Sequence, residues 1–238
     1  MGDLTLDSAA VAATVDRLRR RVEERFPDSG LLGIAVELDR IARQTAERAA
    51  AIRRPILGLR IGVVLLIALI AAGLAGTLYS VRKPREPVEA LQFIQVLEAG
   101  INDVVLVGAG VFFLVTAESR VKRRRALAAL RELRAVAHII DMHQLTKDPE
   151  WVLERGTRTS LMPSGGLSRF ELSRYLDYCS EMLSITGKIA ALYIQHFDDD
   201  VALAAVNEVE SLTAGMSAKI WQKLMILYAM GPDAGGAS

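Results

Sequence analysis

The sequence lacks the short motifs that identify nucleotide-binding and redox proteins. It has a single cysteine, Cys179, which excludes an intrachain disulfide and fits a reducing compartment. It has no G-x-x-x-x-G-K phosphate loop, because Gly187 and Lys188 are not preceded by the earlier glycine, and no G-x-G-x-x-G after a strand. The sequence therefore gives no support for nucleotide chemistry.

The chain also lacks an excess of charge of either sign. It carries 29 Lys and Arg against 28 Asp and Glu, a formal net charge of +1, which leaves no general nucleic-acid footprint. Residues 1–13 contain neither a basic start nor an apolar core, so we expect no cleavable signal peptide. No segment shows sustained alternation of apolar and polar residues, and this favours an all-α fold.

What the chain does have is a long uncharged stretch. Residues 61–81 contain no Asp, Glu, Lys or Arg, and at about 1.5 Å per residue a helix of this length crosses the roughly 30 Å hydrocarbon core of a bilayer. A hydrophobic content of 51% is high for a soluble domain, whereas 24% charged residues are too many for a chain lying wholly in lipid. We therefore predict a membrane-anchored protein with a water-exposed part.

A second membrane pass is predicted around the uncharged residues 104–117. This run extends only about 21 Å as a helix, so the span must reach back through Asp103. A core helix or a re-entrant segment is the alternative for so short a run. The basic cluster directly behind it favours the membrane, because it has the form of a positive-inside signal with anionic-lipid contacts. Its members are Arg120, Lys122, Arg123, Arg124 and Arg125.

The distribution of basic residues places both termini on one side of the membrane. Arginines are dense before the first span, whereas the link between the spans mixes its three basic residues with acidic ones. Pro84 and Pro87 in this link end the first helix and start the second. By the positive-inside rule both termini are cytoplasmic, and we expect the plasma (inner) membrane of a prokaryote. The predicted transmembrane hairpin covers residues 55–119, with spans of about 57–81 and 97–118.

Apolar residues at helical spacing predict a cytoplasmic helical hairpin over residues 1–54. One helix carries an apolar seam, residues 26–30 break it, and a second helix with near-heptad spacing continues to the membrane. Each seam needs a partner helix, because a short amphipathic helix is marginal in water. The seams are Val11, Val15, Leu18, Val22 and Phe26, and Leu31, Ile34, Leu38, Ile41, Thr45 and Ile52.

The helical pattern of residues 120–230 predicts the rest of the cytoplasmic bundle. The second span continues as one helix to about Leu145, since neither Gly nor Pro interrupts it. A capping box of Ser168 and Glu171 starts a long helix, and the acidic residues 198–200 start the last one. Their apolar seams are Leu172, Leu176, Cys179, Leu183, Thr186, Ala190, Tyr193 and Phe197, and Val206, Val209, Thr213, Met216, Ile220, Leu224 and Leu227.

Two connections and a tail complete the predicted organisation. Asp148 as a helix cap and Pro149 after it predict a short helix over residues 150–155. We also predict a loop over residues 156–166 and a flexible tail over residues 231–238. The predicted fold is therefore an all-α membrane protein. It consists of a two-helix transmembrane hairpin and a cytoplasmic helical bundle built from the N- and C-terminal helices.

The candidate metal ligands are His138, Asp141 and His196. His138 and Asp141 lie one turn apart on one helix and could bind an ion together with His196 from another helix. His143 diverges from His138 by about 140° on a regular helix, so both cannot ligate one ion. The alternative is that the histidines make ordinary polar contacts, and the missing ligand spacing favours it. We predict no metal, no cofactor and no catalytic residue.

Asp103 is an ionisable residue near membrane depth, where a charge is costly and commonly marks a water-filled path. In a ring of subunits Asp103 and Asn102 would form a polar collar with Glu98 above it, suited to cations. Alternatively, Asp103 lies just outside the hydrocarbon, where it costs little.

Small residues on the spans allow close approach of helix backbones, either within the hairpin or between subunits. This pattern favours assembly without deciding between the two. The positions are Gly58, Gly62, Ala72 and Gly76 on the first span and Gly100, Gly108 and Gly110 on the second.

Three functions follow from these features. The first is a homo-oligomeric helical scaffold or sensor, anchored in membrane lipids, with its working surface and a protein partner in the cytoplasm. The second is an oligomeric ion-conducting pore lined by the second span around Asp103. The third is a metal-dependent membrane enzyme using His138, Asp141 and His196. The lack of a catalytic constellation favours the first and predicts a protein that is not an enzyme.

Overall fold

The computed structural model describes residues 5–81, 90–147, 149 and 167–229. Every regular element within these residues is an α-helix and none is a strand, which confirms the all-α prediction for this part of the chain. The helices are α1 (Ser8–Arg25), α2 (Gly30–Arg53), α3 (Leu57–Val81), α4 (Ala90–Leu145), α5 (Arg169–Leu192) and α6 (Asp200–Ala229).

The chain divides into two compact units. Met1–Arg53 and Arg125–Ser238 form one unit, called the bundle here, and Arg54–Arg124 form the other, called the hairpin unit. The bundle contains α1, α2, α5, α6 and the C-terminal part of α4, whereas the hairpin unit contains α3 and the earlier part of α4. The predicted continuation of the second span into the bundle is confirmed, since α4 runs uninterrupted to Leu145.

Within the bundle, α5 runs antiparallel to α1 and α6 and parallel to α2, where the hydroxyls of Thr45 and Tyr193 are 3.3 Å apart. The end of α1 lies beside the start of α5, because the ring centres of Phe26, the C-cap residue of α1, and Tyr175 are 5.5 Å apart. Arg21 of α1 donates two hydrogen bonds, at 2.8 and 2.9 Å, to Glu181 in the middle of α5. The end of α6 likewise lies beside the start of α5, where the hydroxyls of Ser173 and Tyr228 are 3.3 Å apart. α5 therefore sits between α1 and α6, which run in the same direction as each other.

The core of the bundle is built from the predicted apolar seams. All the seam residues predicted on α1 and α2 are buried, and so are those predicted on α6. On α5 the seam is buried through Tyr193, and Phe197 beyond it is half-buried. The part of α4 in the bundle adds Ala126, Ala129, Leu130, Leu133, Val136, Ala137 and Ile140 to the same core.

The hairpin unit pairs α3 with the earlier part of α4. Glu118 of α4 lies 2.8 Å from Lys122 on the same helix and 3.6 Å from Arg60 of α3, and its carboxylate accepts a 3.4 Å hydrogen bond from the backbone nitrogen of Ile56. The chain has two helical segments, one in α3 and one in α4, that are long and apolar enough to cross a membrane. Large apolar side chains along both are exposed, among them Leu65, Leu69, Val105, Leu106 and Phe112.

Four predicted segments lie outside the described residues. They are the proline-containing link between the spans, the short helix over 150–155, the loop over 156–166 and the tail over 231–238.

Candidate functional site

A groove lies on the outer face of α5, between α1 and α6. Its volume is about 720 Å³ and it opens to solvent. α5 presents polar side chains to it at steps of three and four residues, which is the repeat of one helix face. From the first to the last of them the floor is about 17 Å long, or three helical turns. The floor consists of Asp177, Ser180, Glu181, Ser184 and Lys188.

The floor is acidic at one end and basic at the other. Asp177 accepts a 3.2 Å hydrogen bond from Arg174. Burial raises the pKa of the Asp177 carboxyl above its ordinary value, an effect that Arg174 opposes and Glu181 reinforces. At the other end the ammonium of Lys188 donates to the Ser184 hydroxyl at 2.8 Å.

The walls of the groove are apolar. Leu6, Ala10 and Val11 line it from the α1 side, and Leu224 and Trp221 line it from α6. Leu224 is buried at the base, whereas 58% of Trp221 is exposed. A large aromatic side chain exposed beside a groove is a common mark of a contact surface, because covering it removes apolar area from water.

A cluster of arginines and one tyrosine borders the groove. The guanidinium carbons of Arg21 and Arg174 lie 5.1 and 5.6 Å from the centre of the Tyr178 ring, within cation–π distance. Arg21 also pairs with Glu181 and Arg174 with Asp177, so the positive charge of the cluster is largely neutralised. The cluster fixes the two carboxylates of the floor and connects α1 to α5.

The side chains of the groove are better arranged for binding than for catalysis. The Lys188 ammonium donates both to the Ser184 hydroxyl and, at 3.4 Å, to the Ser184 carbonyl, so it is a hydrogen-bond donor to this serine and not its base. Cys179 lies on the opposite, buried face of α5, and burial raises the pKa of its thiol to about 12. A protonated buried thiol is a weak nucleophile and a weak metal ligand.

The candidate metal ligands are not brought together. Among the residues that the structure describes, no three His, Cys, Asp or Glu side chains meet as a metal site. His138 and His196 are exposed, and Asp141 accepts a 2.7 Å hydrogen bond from Gln144. The third function therefore loses the ligand set on which it depended.

The polar collar stays a prediction. Glu98 and Asn102 are exposed on α4, and the side chain of Asp103 lies outside the described part of the chain. Whether these residues face a shared axis depends on the arrangement of several chains around it.

The basic cluster behind the second span is partly paired. Lys122 is bound to Glu118, an acceptor that sequence reasoning missed although it stands one helical turn before the lysine. Arg120, Arg124 and Arg125 are exposed, as anionic-lipid contacts would require. The role of this cluster in lipid binding and topology remains a prediction.

Close packing inside the hairpin unit involves one of the predicted glycines, Gly110. A Cβ atom at Gly110 would lie 3.2 Å from the side chain of Leu66. Ala72 is exposed, and at the other predicted packing positions a Cβ would meet no described atom within 4 Å. Those positions are Gly58, Gly62, Gly76, Gly100 and Gly108.

The groove itself was missed by sequence reasoning. Its floor is polar, so a search for apolar periodicity passes over it, and its walls belong to helices far apart in sequence. Comparison with protein-family models, with curated proteins and with solved structures finds no match.

Proposed function

We propose that the protein is a membrane-anchored, homo-oligomeric helical scaffold whose bundle works on the cytoplasmic side. The observation that carries the proposal is the continuity of α4. One part of this helix is apolar enough to cross a bilayer, and its C-terminal part packs into the core of the bundle. Whatever the bundle binds is thereby tied to the membrane through a single helix.

The exposed apolar surface of the hairpin unit supports the anchor. Leu69 and Leu106 are 72% and 75% exposed, and they belong to a continuous apolar surface along α3 and α4. Soluble monomers rarely expose apolar patches larger than a few hundred Å². In a bilayer the same side chains face lipid, and the helical backbone satisfies its own hydrogen bonds, as a membrane span requires.

The groove over α5 supports a scaffold in preference to an enzyme. It combines apolar walls with a charged floor, which suits recognition of another helix by packing and ion pairs. Ser184, the two carboxylates and Lys188 are engaged in hydrogen bonds and ion pairs that hold them in place. The expected activity of the bundle is therefore to hold a protein surface in place.

The oligomeric state tests the proposal. The full chain, extracted in mild detergent, is analysed by blue-native electrophoresis, native mass spectrometry and chemical crosslinking. We expect one discrete oligomer at a multiple of 25.9 kDa. A strict monomer by all three methods, at protein concentrations up to those in the membrane, contradicts the proposal.

An oligomeric pore is the second candidate, favoured by the exposure of Glu98 and Asn102 on a largely apolar part of α4. Planar-bilayer recording of the purified protein tests it. The pore hypothesis expects a cation-selective conductance whose selectivity falls in Asp103→Asn, because a ring of negative charge is lost. Absence of conductance, or conductance unchanged by the substitution, removes this candidate and leaves the scaffold proposal unaffected.

A further inference from the structure

The basic cluster behind the second span divides between two faces of α4. Lys122 lies 2.8 Å from Glu118, which in turn lies 3.6 Å from Arg60 of α3, so this lysine belongs to the face that meets α3. Arg120 and Arg124 each stand two residues from Lys122, which places them about 160° around the helix from it. These two arginines are one turn apart and share the opposite face, called the outer face here. The structure therefore separates a lysine that joins the two helices from two arginines that do not.

The two arginines of the outer face have no counter-charge. Arg120 and Arg124 are exposed, and neither makes an ion pair within the described part of the chain. Like charges one turn apart on a helix repel each other and destabilise it. An anion held between the two guanidinium groups removes this repulsion. Guanidinium groups bind phosphate through paired N–H donors, so the outer face suits a phosphate group.

The outer face is apolar on the membrane side of these arginines. Phe113 and Leu106 precede Arg120 by seven and fourteen residues, so all three lie within about 40° of one another around α4. Phe113 is 62% exposed and Leu106 is 75% exposed. Phe113 lies about 10 Å along the helix from Arg120, within the roughly 15 Å that one leaflet contributes to the hydrocarbon core. A molecule that reaches from Arg120 to Phe113 therefore needs a charged end and an apolar chain.

We propose that the outer face of α4 binds an anionic phospholipid, with its phosphate group between Arg120 and Arg124 and an acyl chain along Phe113 and Leu106. The inference rests on the proposed membrane anchor and names the lipid class that the anchor recognises. A zwitterionic lipid also carries a phosphate, but its own ammonium group compensates the charge, so it relieves the repulsion between the arginines less. The predicted topology puts this end of the span in the cytoplasmic leaflet, which is rich in anionic lipids.

Titration of the full chain with lipid tests the proposal. The protein in dodecyl maltoside micelles is titrated with phosphatidylglycerol and, in parallel, with phosphatidylcholine of the same acyl chains, and native mass spectrometry counts the bound lipid. We expect phosphatidylglycerol to bind about twentyfold more tightly, which is the effect of two arginines near anionic lipid. Arg120→Gln should weaken phosphatidylglycerol binding about fivefold, and Arg120→Gln with Arg124→Gln about twentyfold, to the level of phosphatidylcholine.

Lys122→Gln is the matched control. It removes the same charge from the same turn of α4, but on the face that holds Glu118. We expect it to change phosphatidylglycerol binding by about twofold or less, because the lysine lies on the far side of the helix and is already paired. Circular dichroism of each variant confirms that the helices are retained. If the double variant does not fold, Arg120→Gln and the lipid preference of the native chain still decide.

A competition experiment distinguishes a lipid headgroup from free phosphate. Inorganic phosphate in large excess is added to the complex with phosphatidylglycerol, and sodium chloride at equal ionic strength is the control for screening. We expect phosphate to displace no more lipid than chloride does, because phosphate has no acyl chain to lie along Phe113.

The outcomes separate the inference from the proposed function. If phosphatidylglycerol and phosphatidylcholine bind equally, or if Lys122→Gln weakens binding as much as Arg120→Gln, the outer face is not a lipid site and the inference is wrong. If phosphate displaces the lipid more than chloride does, the site takes a soluble anion and the inference is also wrong. Each of these results leaves the membrane anchor and the oligomeric scaffold standing. A chain that stays dispersed in detergent-free buffer overturns the inference together with the proposed function.

Discussion

Glu132 of α4 shows how single residues join the helices of the bundle. Its carboxylate accepts a 2.7 Å hydrogen bond from Arg40 of α2 and a second one from Arg48, about two turns further along α2. Burial pushes the pKa of Glu132 upward, but the two arginines outweigh burial and hold the pKa below the ordinary glutamate value. The ion pairs therefore stabilise the folded state whenever the carboxylate is charged.

Replacing this carboxylate tests its contribution. Glu132→Gln should lower the free energy of unfolding at pH 7 by about 1 kcal/mol, the upper end for partly exposed pairs. The pKa of Glu132 is lower in the folded state than in the unfolded state. Its contribution is therefore complete above the ordinary glutamate pKa of about 4.3 and is lost as the pH falls through the folded value. Denaturant unfolding of both proteins at pH 7 and pH 3 measures this, and a difference that is as large at pH 3 contradicts the assignment.

Cys179 is expected to report the opening of the bundle. Its side chain is fully buried and its thiol has a pKa raised by burial to about 12, so the reactive thiolate is almost absent in the native state. At pH 8 we expect a thiol reagent to label the native protein at least about a hundredfold more slowly than the protein in denaturant. Mass spectrometry of labelled protein follows the rate, and equal rates in both states would show that the α5 seam is open.

At the scale of the helices, start signals and apolar seams were readable from the sequence. The capping box predicted at Ser168 is present: its hydroxyl accepts from the Glu171 amide at 3.2 Å, and the Glu171 carboxylate accepts from the Ser168 amide at 2.8 Å. α6 begins at Asp200, as the acidic run predicted, and Asp199 accepts a 3.0 Å hydrogen bond from the Ala202 amide. These features are local, since each depends on residues within one turn of helix.

Removing the cap should shorten or weaken the start of α5. We expect Ser168→Ala to lower the free energy of unfolding by about 1 kcal/mol, because the Glu171 amide loses its acceptor. Ser180→Ala in the interior of α5 is the matched control and should change stability by about 0.5 kcal/mol or less, since alanine is a better helix former. Chemical denaturation of both variants measures the change in the free energy of unfolding. An equal loss of stability in the two variants would mean that the cap contributes nothing.

Contacts between helices that are distant in sequence could not be predicted from the sequence. At Gly30, the first residue of α2, a Cβ atom would overlap the imidazole ring of His143 at the end of α4. Sequence reasoning assigned His143 no such neighbour, because helical periodicity gives the face of a residue and not the element that faces it. The groove between α1, α5 and α6 escaped for the same reason.

The overlap at Gly30 predicts opposite effects for two neighbouring glycines. At Gly33 a Cβ would meet no described atom within 4 Å, so Gly33→Ala should stabilise by about 0.5–1 kcal/mol through helix propensity. Gly30→Ala should instead destabilise by about 1 kcal/mol, because the imidazole ring of His143 must rotate away to make room. His143→Ala should relieve this loss, and a double-mutant cycle measures the coupling. Additive effects of Gly30→Ala and His143→Ala would place the two residues out of contact.

At the scale of the whole molecule, two apolar helical segments belong to one chain with a helical bundle that carries a groove. Composition and the uncharged stretches were enough to predict two apolar helices and a helical bundle. Each of these predictions depends on the amount of apolar surface that a segment must remove from water. Assembly could not be predicted to the same depth. The polar collar around Asp103 and the packing glycines such as Gly58 gain meaning only from neighbouring copies, and one sequence does not specify the position of its copies.

Membrane retention tests the central claim most directly. The full chain is expressed and its membranes are washed with alkaline carbonate, beside two variants with matched changes. Ile67→Arg with Leu69→Arg places charges in the middle of α3, at a cost of about 5–7 kcal/mol on the insertion scale. Val201→Arg with Leu203→Arg makes the same changes at exposed apolar residues of the bundle. We predict that the native chain and the bundle variant stay in the pellet and that the α3 variant is released or degraded. A native chain that stays soluble and dispersed in detergent-free buffer would contradict the account.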